Sequence, residues 1–163
     1  MSPEFLSNEE VIQAARRNMD QPAWDYLVGG SESETTMRRN RYGFDRLAFR
    51  PRVLVDVSDI DLTTTLLDHD LRIPVILAPV GGLIRFNPDG GIAAAQAASE
   101  FGTLQAVSQV AGHRPADIAA ATSEPKVFQL YVHGDWDWIA AALDDVKSAG
   151  FRGLCLTVDS ARS

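Results

Sequence analysis

The stretch Lys126-Val127-Phe128-Gln129-Leu130-Tyr131-Val132 reads as a short β-strand, with Val127, Phe128, Leu130 and Val132 supplying apolar bulk. Side chains alternate faces along a strand, so Gln129 and Tyr131, two residues apart, share one. An amide and a phenol on one face of an otherwise buried strand need hydrogen-bond partners. Either the neighbouring backbone satisfies them or a ligand does.

Working outward, the same pattern recurs. A helix is predicted from near Asp135 to about Ala149, then a strand over Gly153-Leu154-Cys155-Leu156-Thr157-Val158. Upstream, strand Leu104–Val107 leads through Ser108 to a helix begun by Pro115. Before it, strand Val75-Ile76-Leu77 leads to an Ala-rich helix over Gly91–Phe101. Four strands beginning roughly 25 to 30 residues apart are the mark of successive βα units. Short apolar strands alternating with helices imply a parallel sheet covered on both faces.

Two architectures fit: an open doubly wound sheet, or part of a (β/α)8 barrel. A dinucleotide fold wants G-x-G-x-x-G after its first strand, and Pro79-Val80-Gly81-Gly82 lacks that spacing. In the barrel reading, active sites lie at the carboxyl ends of the strands. Those ends carry Pro79-Val80-Gly81, Ser108, Gln129 with Tyr131, and Thr157 with Asp159. Ser, Gln, Tyr and Thr are neutral donors and acceptors, suited to the carbonyls and ring nitrogens of a flat heterocycle. The Gly81-Gly82 pair would let backbone approach such a ring closely.

The preceding part, residues 1–73, is organised differently from 74–163. Ser7-Asn8-Glu9-Glu10 is a capping box opening a helix to about Arg17. Pro22 suits the first turn of a second helix, Ala23–Val28, ended by Gly29-Gly30. A third is predicted over Glu32–Phe44, acids early and arginines late, the order the helix dipole favours. Short extended pieces at Leu47–Phe49 and Asp61–Leu66, with a turn at Asp68-His69-Asp70, predict a small hairpin or lid.

The 163 residues are 45% hydrophobic and carry a net charge of −7, which argues against nucleic acid or anionic membrane as the main partner. The one cysteine, Cys155, excludes an internal disulfide and fits a reducing compartment such as the cytoplasm. Between Leu154 and Leu156 it is expected to be a buried, inert thiol. No apolar run approaches membrane-spanning length, and the start has no signal-peptide core. His69, His113 and His133 are expected in turns and exposed loops, without metal-ligand spacing.

Trp24-Asp25-Tyr26 before Gly29-Gly30, then Asn40 and Phe49-Arg50-Pro51-Arg52, resemble the amino-terminal part of the FMN-dependent α-hydroxy acid dehydrogenases and oxidases. That family includes glycolate oxidase, lactate oxidase, flavocytochrome b2 and mandelate dehydrogenase. Pro74 to Pro79, Ser108, Phe128-Gln129-Leu130-Tyr131 and Leu156-Thr157-Val158-Asp159 continue the resemblance in register, from about Glu9 onward. It implies a TIM barrel whose amino-terminal helices, hairpin and first four βα units lie in this chain. It also implies FMN as cofactor and oxidation of an L-2-hydroxy acid, the (S) enantiomer, to the 2-oxo acid. Homo-oligomers, tetramers or octamers, are implied as well.

By the same resemblance, Tyr26 matches the tyrosine that binds the substrate carboxylate, and Tyr131 the one that hydrogen-bonds the substrate near its hydroxyl or carboxylate. Ser108, Gln129 and Thr157 match side chains on the flavin's pyrimidine edge. The backbone of Pro79, Val80 and Gly81 matches the segment against the central ring. Asp159 matches the carboxylate that orients the catalytic histidine, whose charged form a neighbouring carboxylate stabilises. Val80 stands where relatives more often have Thr, and Val110 where some place a bulky aromatic near the substrate, implying a roomier pocket. Asn87 replaces a usual His and Ala161 a common Pro.

The family's catalytic histidine, substrate-binding arginine, flavin-binding lysine and phosphate site all belong to the second half of the barrel. None of the three histidines here matches that motif. The chain is therefore expected to need that carboxy-terminal half, as a continuation or a second chain, and to be inactive without it. Two other readings stay open: a different FMN barrel such as type 2 isopentenyl-diphosphate isomerase, or a non-catalytic half-barrel binding module.

Overall fold

The structure, a computed structural model, describes residues 5–159. It forms two compact units that divide after Asp59. The predicted hairpin groups with the second unit.

The first unit holds three helices, α1 (Asn8–Asn18), α2 (Gln21–Val28) and α3 (Thr35–Asp45). Ser7 caps α1 by accepting from the Glu10 N–H at 3.3 Å, and Glu10 reaches back to the Leu6 N–H at 2.7 Å. Asp20 caps α2 through the Ala23 N–H at 2.8 Å, with Pro22 in the first turn. Gly29 ends α2 without a left-handed residue: its φ is −80°, and a Cβ there would sit 2.6 Å from the Asp25 carbonyl oxygen. Crowding, not conformation, calls for glycine. The third helix begins three residues later than predicted, because Glu32 and Glu34 adopt positive φ (50° and 56°) and form the preceding turn. No strand forms at Leu47–Phe49.

The second unit opens with the antiparallel hairpin β1 (Thr64–Leu66) and β2 (His69–Leu71), Leu66 facing His69 across the turn. A 3-10 turn (Leu83–Arg85) precedes α4 (Gly90–Phe101). Then follow β3 (Gln105–Ser108), α5 (Pro115–Ala120), β4 (Lys126–Leu130), α6 (Trp136–Ser148) and β5 (Gly153–Leu156). Strands β3, β4 and β5 pair in parallel in chain order.

The strand predicted at Val75–Leu77 is reduced to one bridge. Leu77 donates to the Leu104 carbonyl and accepts from the Ala106 N–H, both at 2.9 Å. Pro74 has no N–H, and that of Val75 is consumed locally by the Ile73 carbonyl at 2.8 Å. Even so, the bridge places this segment beside β3, so four segments lie side by side in chain order.

Register fixes the faces. Val107 pairs with Phe128 and Phe128 with Leu154. On the helix-covered face Val107, Phe128 and Leu130 pack with Ala95, Ala111, Ile118 and Val146, and the Phe128 and Phe151 rings meet edge-on at 5.5 Å. Ile118 is fully buried at the centre. The opposite face carries Ser108, Gln129 and Thr157.

Two features of this layout stand out, the first of them a departure from the expected burial of Cys155. Cys155 is exposed, not buried, because among the described residues β5 is paired only by β4 and the flanking Leu154 and Leu156 are themselves half exposed. Lys126, at the amino end of β4, is only 5% exposed. Its ammonium donates to the Thr122 carbonyl (3.0 Å), the Thr122 hydroxyl (2.9 Å) and the Glu124 carbonyl (2.8 Å). Burial holds its pKa below the ordinary lysine value, against the opposing pull of the Glu124 charge.

Candidate functional site

Three carboxyl strand ends carry one hydrogen-bonded chain. The Ser108 hydroxyl donates to Gln129 Oε1 at 2.9 Å, and Gln129 Nε2 donates to the Thr157 hydroxyl at 2.5 Å. Ser108 and Gln129 are direct register partners, 4% and 3% exposed. Thr157 follows β5 and continues the ladder, its N–H donating to the Leu130 carbonyl at 3.0 Å. Parallel pairing in chain order is what aligns residues 21 and 28 apart in sequence.

The chain keeps hydrogen-bonding capacity to spare. Gln129 has a second amide proton and the Thr157 hydroxyl its own proton. Ser108 Oγ also accepts from the Val110 N–H at 3.3 Å. A neutral, pre-ordered set of donors and acceptors suits a ring edge that shows both carbonyl oxygens and an N–H.

The loop after the Leu77 bridge is locked to the loop after β3. Gly82 N–H donates to the Val110 carbonyl at 2.7 Å, and a Cβ on Gly81 would lie 2.9 Å from Val110 Cγ2. Gly112, at φ +102°, lies under Ile84 of the 3-10 turn, where a Cβ would come within 2.5 Å of Ile84 Cγ1. The predicted Gly81 and Val110 therefore touch, with Ser108 Oγ 3.9 Å from the Gly81 Cβ position. Pro79 and Val80 are exposed on the same loop.

Tyr131 is the first residue past β4. Its ring lies 6.1 Å from that of His133, which meets Trp138 edge-on at 6.0 Å. Its N–H donates to Gln109 Oε1 at 2.8 Å. Sequence reasoning missed Gln109; a long amide directly after Ser108 was the available signal. Asp159 is exposed just beyond Thr157, and Tyr26 is exposed on α2 in the first unit. His113, expected in an open loop, has a buried Nδ1 without a partner among the described residues. No group of three or more metal-ligating side chains occurs among those residues, nor any helix long and apolar enough to cross a membrane.

The sequence model of the FMN-dependent dehydrogenase family matches residues 15–163. A peroxisomal (S)-2-hydroxy-acid oxidase of rice (Oryza sativa subsp. indica) is 38% identical over 151 residues, covering 93% of this chain and 41% of the rice protein. Glycolate oxidase of spinach (Spinacia oleracea) is 35% identical over 159 residues, 98% of this chain and 43% of that enzyme. Among solved structures, a soluble mutant of the membrane-associated (S)-mandelate dehydrogenase from Pseudomonas putida superposes with a TM-score of 0.88 at 29% identity, over 94% of this chain and 44% of that one. The chain thus spans less than half the length of the relatives it matches.

Proposed function

The chain belongs to the FMN-dependent dehydrogenase family, and we propose that it forms the first four βα units, with the preceding helices and hairpin, of a barrel that oxidises an (S)-2-hydroxy acid to the 2-oxo acid. The observation that carries this reading is the Ser108–Gln129–Thr157 chain across three adjacent strand ends, buried at Ser108 and Gln129 and half-buried at Thr157. Strand order supports the barrel: Leu77, β3, β4 and β5 follow one another without the reversal a doubly wound sheet requires.

These residues fit a flavin. Gln129 and Thr157 would hold the pyrimidine edge with their spare protons, Ser108 would fix the Gln129 amide, and the Pro79–Gly81 backbone would lie against the central ring. When bound, FMN supplies the acceptor for the two electrons the substrate loses. Tyr131 orients the substrate near its hydroxyl or carboxylate, with Val110 lining the substrate pocket. The base that takes the hydroxyl proton lies in the remainder of the protein, and Asp159 holds it in position and stabilises its protonated form.

The test is the visible spectrum of the full-length protein. It should be yellow, and (S)-lactate, glycolate or (S)-mandelate added without oxygen should bleach it, while the (R) acids do not. Tyr131→Phe should slow bleaching at limiting substrate. A colourless full-length protein that takes up no FMN would make this chain part of a binding module instead.

A further inference from the structure

We propose that Gln109 is the residue that positions Tyr131, its side-chain carbonyl standing in for a main-chain carbonyl at the point where β3 leaves the sheet. The proposal rests on the reading of Tyr131 as a substrate-binding residue.

The ladder between β3 and β4 is regular up to its last rung, where the Gln109 N–H donates to the Gln129 carbonyl at 3.0 Å. In a parallel ladder the next bond runs from the N–H two residues further along the partner strand to the carbonyl of the same residue. That donor is Tyr131. Its N–H does go to Gln109, but to Oε1 of the side chain, at 2.8 Å.

The substitution has a geometric cause. Beyond Ser108 the chain turns, the Ala111 N–H closing onto the Ser108 carbonyl at 3.0 Å. The turn aims the Val110 carbonyl at the Gly82 N–H and sets Val110 Cγ2 against Gly81. One segment must therefore leave β4 to build the loop beside Gly81 and still support the residue after β4. A glutamine does both, because its amide spans the opening gap. Serine or alanine here would be too short, and Tyr131 would lose the acceptor for its N–H. With that bond gone, the Leu130–Tyr131 peptide keeps its tie from the Thr157 N–H to the Leu130 carbonyl at 3.0 Å but loses the one on the Tyr131 side, and the backbone that carries the phenol loosens.

The experiment uses the full-length, FMN-loaded protein and oxalate, a planar dianion with no C–H bond to oxidise. Oxalate affinity is read from the flavin absorbance change, alongside KM and kcat for the hydroxy acid. Gln109→Met, similar in length but without the carbonyl, and Gln109→Asn, too short to reach, should weaken oxalate binding and raise KM about five- to tenfold. FMN content should stay at the wild-type level. Gln109→Glu keeps an acceptor at the same reach and should recover binding to within about twofold. A purely structural role would instead lower FMN content and the thermal midpoint without separating Glu from Met. If Gln109→Met does not fold, Gln109→Asn and Gln109→Glu decide. Wild-type oxalate affinity in the Met and Asn variants, with Tyr131→Phe binding weakly, overturns the proposal. Wild-type affinity in Tyr131→Phe removes the premise about Tyr131 itself.

Discussion

Gln129 Nε2 donates to the Thr157 hydroxyl across 2.5 Å, and the other end of the same amide accepts from Ser108. One side chain thus ties three strands together at the rim where they end. Gln129 and Thr157 each keep a proton for a second task in the proposed function, which makes this chain a sensitive place to perturb.

Replacing Gln129 with Leu should strip Ser108 of its acceptor and Thr157 of its donor in a buried site. A buried hydroxyl left unpaired costs about 1–3 kcal/mol, so the denaturation midpoint should fall accordingly. FMN affinity of the full-length protein should drop by about tenfold or more, read by quenching of free flavin fluorescence. Unchanged affinity would take Gln129 out of the cofactor site.

Gly112→Ala should destabilise the protein by about 2 kcal/mol or more, from left-handed backbone strain added to overlap with Ile84. The Cβ would meet three Ile84 carbons at 2.5, 2.7 and 2.7 Å. Because Ile84 belongs to the 3-10 turn after Gly82, the loop beside Gly81 should shift and FMN affinity should fall with stability. Chemical denaturation and flavin titration measure the two effects on one sample.

A Cβ on Gly91 would lie 2.7 Å from Ile118 Cδ1 and 3.3 Å from its Cγ1. Gly91→Ala should therefore cost about 1–3 kcal/mol from overpacking, although alanine is the better helix former. In an Ile118→Val background, which removes Cδ1, the same change should cost clearly less. A double-mutant cycle reads the coupling. Purely additive effects would mean that the two positions do not press on each other.

Lys126 sets a pH dependence. Its folded-state pKa lies below the unfolded-state value, so the unfolded chain binds more protons between the two, and stability rises with pH across that window. The rise should occupy the range just below the ordinary lysine value of 10.5. Lys126→Met should lack it, so the stability difference between wild type and variant should change with alkaline pH. Parallel urea-denaturation curves would contradict this.

Much of the second unit was legible. Strand–helix alternation placed β3, β4, β5 and the helices between them to within a few residues, because apolar periodicity reports burial directly. Ser108, Gln129 and Thr157 were visible as polar residues at the ends of apolar strands, but not their mutual bonds, which depend on register. Val75–Leu77 read as a full strand since its composition is that of one; local use of the Val75 N–H overrode propensity. Cys155 misled for the opposite reason. An apolar run predicts burial only where something covers it, and β5 has a neighbour on one side. Gln109 escaped because its role depends on where β3 bends: a long amide after Ser108 was visible in the sequence, but what it reaches is set by backbone geometry.

The consecutive strand order has a consequence for how the molecule is made. Among the described residues β3, β4 and β5 each pair with the segment just before them in the chain, while in the proposed barrel the first segment and β5 take their outer partners from the remainder of the protein. The sheet can grow in the direction of synthesis, Leu77 receiving β3, then β3 receiving β4, and β4 receiving β5. These pairings close shorter loops than the one that must complete a barrel, so they carry the smaller closure cost. The Ser108–Gln129–Thr157 chain completes itself as the fourth segment arrives, so the rim is ordered by the time β5 has docked.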